Sequence, residues 1–454
     1  MPRPDLYCYY RVSSMKMLSF VSTLFTCLFI FGGAHRALAD SCVTTTCHSA
    51  IAAFKKPHEP VKGGECSSCH TQRGKEHPVK GAKSFELAAK GAALCANCHA
   101  GMGAKKFQHA PVKEGDCVSC HKPHGSNERY LLEVGEDRTA LCLNCHDPAS
   151  FKEKYMHGPA AVGACNDCHE AHESSEKKLL KGSVREVCLK CHADFGAAMK
   201  ESAFVHPPVR DSACTACHKP HGSPYSMFLN NKMPDVCTGC HKPIGVHMAK
   251  VKVPHKPLLD KAGCANCHSA HYSKAKMLLA ADEMTVCLTC HGRDLGALKN
   301  VKKQIEGKKY LHGPLQQGKC SACHNPHGSD SFRMLPGPYP AELYAPYKEG
   351  AYDGCLKCHE KNLLRFADTT VYTGFRNGNR NLHFVHVASR KGRTCRLCHE
   401  PHASTGEKLI SKEGSKFGDW KIPINFKITP TGGSCAPGCH REFKYDRNKP
   451  ESYQ

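Results

Sequence analysis

Long amphipathic periods are scarce along this chain. Its one sustained apolar run spans residues 18–31; beyond it, short apolar clusters are broken by 38 glycines and 28 prolines. Such punctuation predicts turns and loops. Brief helices are expected over 142–149 and 186–198, and Ile422, Ile424, Phe426 and Ile428 alternate with polar neighbours as in a short strand within 420–429. The expected secondary structure is mostly irregular loops with short α-helices and little β.

The 18–31 run follows Arg11 and Lys16 and precedes Ala37-Leu38-Ala39, small residues at the two positions that determine cleavage. Residues 1–39 therefore read as a signal peptide, because a membrane anchor needs a longer apolar run of about 20 residues. The mature chain is expected to begin near Asp40 and to be exported, with no membrane span.

A short motif recurs through the remainder of the chain and organises it. Two cysteines flank two residues and a histidine comes next: Cys66, Cys69 and His70; Cys95, Cys98 and His99; Cys117, Cys120 and His121; Cys142, Cys145 and His146; Cys165, Cys168 and His169; Cys188, Cys191 and His192; Cys214, Cys217 and His218; Cys237, Cys240 and His241; Cys264, Cys267 and His268; Cys287, Cys290 and His291; Cys320, Cys323 and His324; Cys355, Cys358 and His359; Cys395, Cys398 and His399. Stretched variants bracket the series, Cys42 and Cys47 before His48, and Cys435 and Cys439 before His440. Cys-x-x-Cys-His is the attachment pattern of c-type haem: both thiols add to porphyrin vinyl groups and the histidine ligates iron. Zinc or disulfides account for paired cysteines but require no histidine after every second one. Fifteen sites consume thirty of the 32 cysteines, and the other two, Cys8 and Cys27, fall in the signal segment.

Haem changes the meaning of the charge. A formal +22 ordinarily suggests nucleic acid or an anionic membrane. Without residues 1–39 the chain keeps 59 basic and 40 acidic residues, and fifteen haems would add thirty propionates against one positive charge per ferric iron. The oxidised holoprotein then lies near +4 and the reduced one near −11, so lysine-rich segments such as Lys302-Lys303 read as counter-charges or solvated surface, and no nucleic-acid partner is expected. About 415 mature residues leave roughly 28 per haem, too few for a conventional core, so the covalent porphyrins must supply the buried apolar surface.

Histidines repeat in phase with the motif. Setting aside the fifteen proximal ones and His35, sixteen of the 32 remain. One set precedes a first-site proximal histidine by twelve or thirteen residues: His58, His109, His157, His206, His255, His312 and His386. Another follows it closely: His77, seven residues on, and His124, His172, His221, His271, His327 and His402, each three residues on. A histidine three residues beyond the proximal one cannot wrap to the opposite face of the same iron. The upstream set is therefore expected to complete the first haem of each pair, and the downstream set the second. The first haem, at His48, has no paired site before it. Its sixth ligand is left open among the non-repeat histidines His247 and His383, a methionine, water or a partner molecule. Two axial imidazoles leave no place for substrate on iron and suit electron transfer.

Residues 40–330 thus read as tandem doubled-motif repeats and 331–454 as a C-terminal multihaem region with longer inserts. One insert is a Pro/Tyr loop, residues 335–340 followed by Tyr344, Tyr347 and Tyr352; the other is the 420–429 segment. Partner binding and end-capping are both open readings for them.

The arrangement Cys-x-x-Cys-His-x-Pro-His, seen at Cys117 to His124 and followed by a second Cys-x-x-Cys-His, resembles the doubled-motif multihaem c-type cytochromes of bacteria that respire metals. The upstream histidine is similar in spacing to a class III cytochrome ligand. The resemblance implies a multihaem cytochrome c fold around a chain of covalent haems, outside the cytoplasm of a Gram-negative cell, in the periplasm or at the outer surface. It also implies redox-protein partners such as periplasmic or outer-membrane cytochromes, or an extracellular metal acceptor. The expected activity is electron relay in anaerobic or extracellular respiration, with no catalytic residues. The competing readings are a reductase of nitrogen oxyanions or metal ions working at an open first haem, and a subunit of a haem filament or outer-membrane conduit.

Overall fold

The computed structural model describes residues 42–44, 47–74, 76–134, 138–294, 300–390, 392–412, 414–417 and 419–453; the expected signal segment lies outside them. Helices are short and strands are mostly two residues long. Among the described residues, no helix is long and apolar enough to cross a membrane.

Each upstream histidine except His386 stands at the entrance of a brief turn with proline in its opening positions. Extended backbone at His58, His109, His157 and His312 leads into Glu59–Lys62, Ala110–Glu114, Gly158–Ala161 and Gly313–Gln316. Proline fits there because its missing N–H would have had no helical partner. The first motif of each unit then closes as a single 3-10 turn, as in Cys117–Ser119, Cys165–Asp167 and Cys214–Ala216. Second motifs sit in or against α-helices such as Ala92–Ala96 and Glu283–His291.

Consecutive units are latched by the backbone. Lys56–Pro57 pairs with Gly125–Ser126, Phe107–Gln108 with Glu173–Ser174, Tyr155–Met156 with Gly222–Ser223, Phe204–Val205 with Tyr272–Ser273, and Tyr310–Leu311 with Ala403–Ser404. Val253 and Ser329 bridge at the equivalent place. In every case the segment before an upstream histidine pairs with the segment after the next unit's downstream histidine. The His58 amide accordingly donates to the His124 carbonyl at 3.0 Å, and His109 does the same to His172 at 2.8 Å. Buried latch serines tie the strand to the connector: Ser126, Ser174, Ser223 and Ser404 donate to the carbonyls of Leu132, Leu180, Leu229 and Ile410.

Polypeptide burial is concentrated at the C-terminal end. Before Tyr339, the buried hydrophobic side chains among the described residues are Met199, Leu258, Val286 and Leu315. Beyond it, Tyr339, Tyr352, Leu364 and Val387 form one cluster and Leu397, Ile422 and Ile424 another. The Pro/Tyr loop is thus anchored inward by Tyr339 and Tyr352, and the 420–429 segment by Ile422 and Ile424.

Local expectations needed adjustment. The helix expected over 142–149 runs instead over Arg138–Leu143, and a 3-10 turn, Pro148–Phe151, follows. The helix expected over 186–198 is two helices, Val184–Cys191 and Ala193–Lys200, broken at His192, which leaves helical geometry. In 420–429 only Trp420–Lys421 and Lys427–Ile428 are strand. Ile422 and Ile424 are buried while Ile428 is exposed, so the alternation marks anchors of an irregular segment.

Replacing Ser223, which is fully buried, by alanine removes its bond to the Leu229 carbonyl and its acceptance of the Tyr225 amide. Leaving that buried carbonyl unpaired should cost about 1–3 kcal/mol locally. Hydrogen exchange over residues 222–229 should speed up roughly tenfold or more, with distant latches unchanged.

Candidate haem centres

Across the motif the backbone makes one helical turn. The amides of His121, His146, His169 and His218 donate to the carbonyl of the first cysteine four residues earlier, at 3.0–3.1 Å. Residues three and four apart share a helix face, so both sulfurs and the imidazole point the same way. That is the disposition a porphyrin edge and its iron require.

Every described regular motif histidine except His399 faces a second histidine across a narrow gap. The ring centres are 6.0 Å apart for His58 and His99, 6.0 Å for His109 and His146, 6.3 Å for His157 and His192, 6.0 Å for His206 and His241, 6.2 Å for His255 and His291, and 6.0 Å for His312 and His359. A second series joins neighbouring units: His70 with His124 at 6.0 Å, His121 with His172 at 5.9 Å, His169 with His221 at 6.0 Å, His218 with His271 at 5.9 Å, His268 with His327 at 6.2 Å and His324 with His402 at 6.1 Å. His48 faces His77 at 5.9 Å. Rings in van der Waals contact would lie about 4 Å apart. Two metal–imidazole bonds of roughly 2 Å, extended to the ring centres, give about 6 Å. The spacing is one metal wide, so the residues fit haem iron. Among the described residues, no group of three or more His, Cys, Asp or Glu side chains gathers to hold a metal, as a zinc site would need.

The remaining two motif histidines are reached from one turn. His383 and His386 flank the start of the π-helix Phe384–Ala388. His383 lies near enough to His399, and His386 to His440, to sense the charge there.

Second-nitrogen contacts fix the tautomer. Nδ1 of His58, His109, His157, His206 and His255 donates to the carbonyls of Pro123, Ala171, Pro220, Ala270 and Pro326, each the residue before the next downstream histidine. Nδ1 of His121, His169, His218, His268, His324 and His399 donates to the carbonyls of Tyr130, Lys178, Met227, Met277, Arg333 and Lys408. A carbonyl only accepts, so Nδ1 carries the proton and Nε2 keeps its lone pair for metal. Burial, then the facing imidazoles, holds His124, His172, His221, His271 and His327 below the ordinary histidine value. His402, buried and facing His324, is pushed down to about 4. All six are neutral at pH 7, the ligating form.

Cysteine contacts show how the motifs follow one another in space. Side chains touch between units at Cys42 and Cys66, Cys95 and Cys117, Cys142 and Cys165, Cys188 and Cys214, Cys237 and Cys264, Cys287 and Cys320, and Cys355 and Cys395. Within units, Cys69 lies near Cys95, Cys120 near Cys142, Cys168 near Cys191, Cys217 near Cys240, Cys267 near Cys290, Cys323 near Cys358, and Cys398 near Cys439. Spatial order is sequence order.

The pattern of the doubled CXXCH motif family matches residues 58–104, 109–151, 157–197, 206–245, 255–296 and 312–363. The chain belongs to this family of multihaem c-type cytochromes. It is similar, at 28% identity over 183 residues, to a protein named multiheme cytochrome MtrA from Shewanella baltica (strain OS185); the match covers 39% of this chain and 48% of that relative. Haem c binding and electron transfer follow at the level of the family.

Within this doubled-CXXCH cytochrome the histidine pairing reverses the sequence expectation. The upstream set faces the second motif of its own unit, and the downstream set faces the first motif of the unit before. The latch is the reason: from His124 to His402 it carries the downstream histidine back onto the preceding unit, while from His58 to His312 the proline-started turn aims the upstream one forward. His48 is also not left alone, since the displaced His77 faces it. His383 lies near His399, at the opposite end of the chain. His247 faces no motif histidine; its Nε2 donates to the Gly328 carbonyl at 2.9 Å.

Sequence reading passed over the connector as a holding device. Tyr130, Lys178, Met227, Met277, Arg333 and Lys408 and the residue after each have φ of 53–61°, which turns their carbonyls onto the proximal histidines. The recurring pair of apolar residues after each, Leu131-Leu132 for example, was the available signal. Non-glycine residues in this region carry a cost of about 1–2 kcal/mol, and β-branched ones fit worst. Met227→Gly should therefore raise thermal stability or leave it unchanged, and Met227→Ile should lower it by a further 1–2 kcal/mol or so, as read from the melting of haem absorbance.

Proposed function

We propose that this cytochrome is an electron relay of about fifteen haems, each held between two histidines, serving anaerobic or extracellular respiration. The observation that carries this reading is the run of thirteen histidine pairs at 5.9–6.3 Å. His383 and His386 complete the last two. Haem iron, when bound, supplies one-electron ferric–ferrous chemistry. The chain's own part would be to hold the iron between paired imidazoles, leaving no place there for substrate, while Nδ1 bonds to backbone carbonyls keep many of those rings from turning between oxidation states. Touching cysteines hold successive sites together in one file, the arrangement that hopping needs.

Export to the periplasm or outer surface agrees with covalent haem attachment and with the 1–39 segment. Donors and acceptors are read as other redox proteins, periplasmic or outer-membrane cytochromes, or an extracellular metal acceptor. The reductase alternative depends on an open first haem, and His77 facing His48 supports the relay reading over it. Residues 40–330 are read as the relay's repeating body and 331–454 as its capped end, supported by where the buried clusters lie.

Intact mass of the exported protein should exceed the mature polypeptide by fifteen haems, and ferric resonance spectra should be wholly low-spin. A mass equal to bare polypeptide overturns the reading. His77→Ala should convert about one haem in fifteen to high spin, at the His48 site, whereas His247→Ala should leave every haem low-spin.

A further inference from the structure

Near the C-terminal end, two cations stand without a counter-charge. The guanidinium carbon of Arg333 is 5.0 Å from the centre of the Phe332 ring; that of Arg396 is 4.8 Å from the same ring and 5.4 Å from Tyr339. Burial, and then the neighbouring Arg396 charge, holds Arg333 below the usual arginine value. Arg396 donates from Nη2 to the carbonyls of Ala341 at 2.6 Å and Pro340 at 3.4 Å, but its Nε is buried without a partner, as is the Tyr352 hydroxyl. Among the described residues, neither arginine forms an ion pair. Arg333 is largely exposed, but Arg396 is half-buried, and its unpartnered buried donor is costly unless an anion joins it.

Their surroundings say which anion. The Arg333 carbonyl accepts from His324, and the Arg333 charge is felt at His402, which faces that histidine. Arg396 lies between Cys395 and Cys398, and the cluster of Tyr339 and Tyr352 packs on Cys355 and Cys395. Three attachment sites therefore adjoin the pair. In the other motifs the residue after the first cysteine is uncharged, as with Val118, Asn166, Thr215, Ala265, Ser321 and Leu356.

We propose that Arg333 and Arg396 form an anion site for a haem propionate, and that their charge makes the haems at His324, His359 and His399 the electron-collecting end of the file. The proposal rests on the relay reading. A planar carboxylate matches the guanidinium fork, and a propionate is delivered by the attached haem itself. Reduction removes one positive charge from each iron centre, so nearby cations favour the ferrous state and raise the potential.

The test is potentiometric titration of the full haem-loaded protein carrying Arg396→Gln, Arg333→Gln or Arg396→Lys, with haem mass and ferric resonance spectra recorded alongside. Each glutamine variant should shift the highest-potential steps downward with mass and low-spin spectrum unchanged, and the lysine variant should shift them less. Superimposable curves for both glutamine variants overturn the proposal and leave the relay reading standing. Wild-type potentials that move with inorganic phosphate at constant ionic strength also overturn it, since the anion would then be a free one. If Arg396→Gln fails to load haem, the Arg333→Gln and Arg396→Lys curves decide by the same criteria.

Discussion

Everything in this chain is subordinate to holding pairs of imidazoles one metal apart. The polypeptide has few means of its own for doing so: across most of its length it buries scattered single side chains, and its helices are about two turns or shorter. Short range is served by a helical turn through each motif and by carbonyls aimed at Nδ1. Longer range is served by the short latch, whose hydrogen bonds set one histidine of every cross-unit pair except His48 with His77. A repeat protein ordinarily gains cohesion by stacking apolar faces; here facing histidines cross the unit boundary instead.

The motif and its histidines were readable because covalent attachment imposes a narrow spacing, two residues at thirteen sites and three or four at the end sites. Fifteen proximal and fourteen in-phase distal histidines stand out from the residues alone. Pairing was not readable, because it depends on which unit folds back onto which. His124 is three residues from His121 along the chain, yet it sits against His70, and that choice is made by hydrogen bonds between Lys56–Pro57 and Gly125–Ser126. Two-residue strands carry no periodic signature. The left-handed connectors were hidden for a similar reason: Tyr, Lys, Met and Arg do not announce positive φ as glycine does.

At the C-terminal end the rules change. The histidine that a following unit returns elsewhere is supplied here by a different device: a hairpin, Arg376–Asn377 with Arg380–Asn381, and the π-helix after it present His383 and His386 together. The tyrosine-rich insert packs beneath them as the largest apolar cluster described, so the inserts that departed most from the repeat are the ones that finish it.

The boundary-crossing latch bears on how such a molecule lengthens over generations. A unit excised cleanly between its neighbours carries off the imidazole belonging to the iron before it, but the unit downstream brings an equivalent one into the same place. Duplication or loss of whole internal units is therefore self-healing. The number of redox centres can drift in steps of two while both end pieces stay as they are, and the span between donor and acceptor can be tuned without redesigning either terminus.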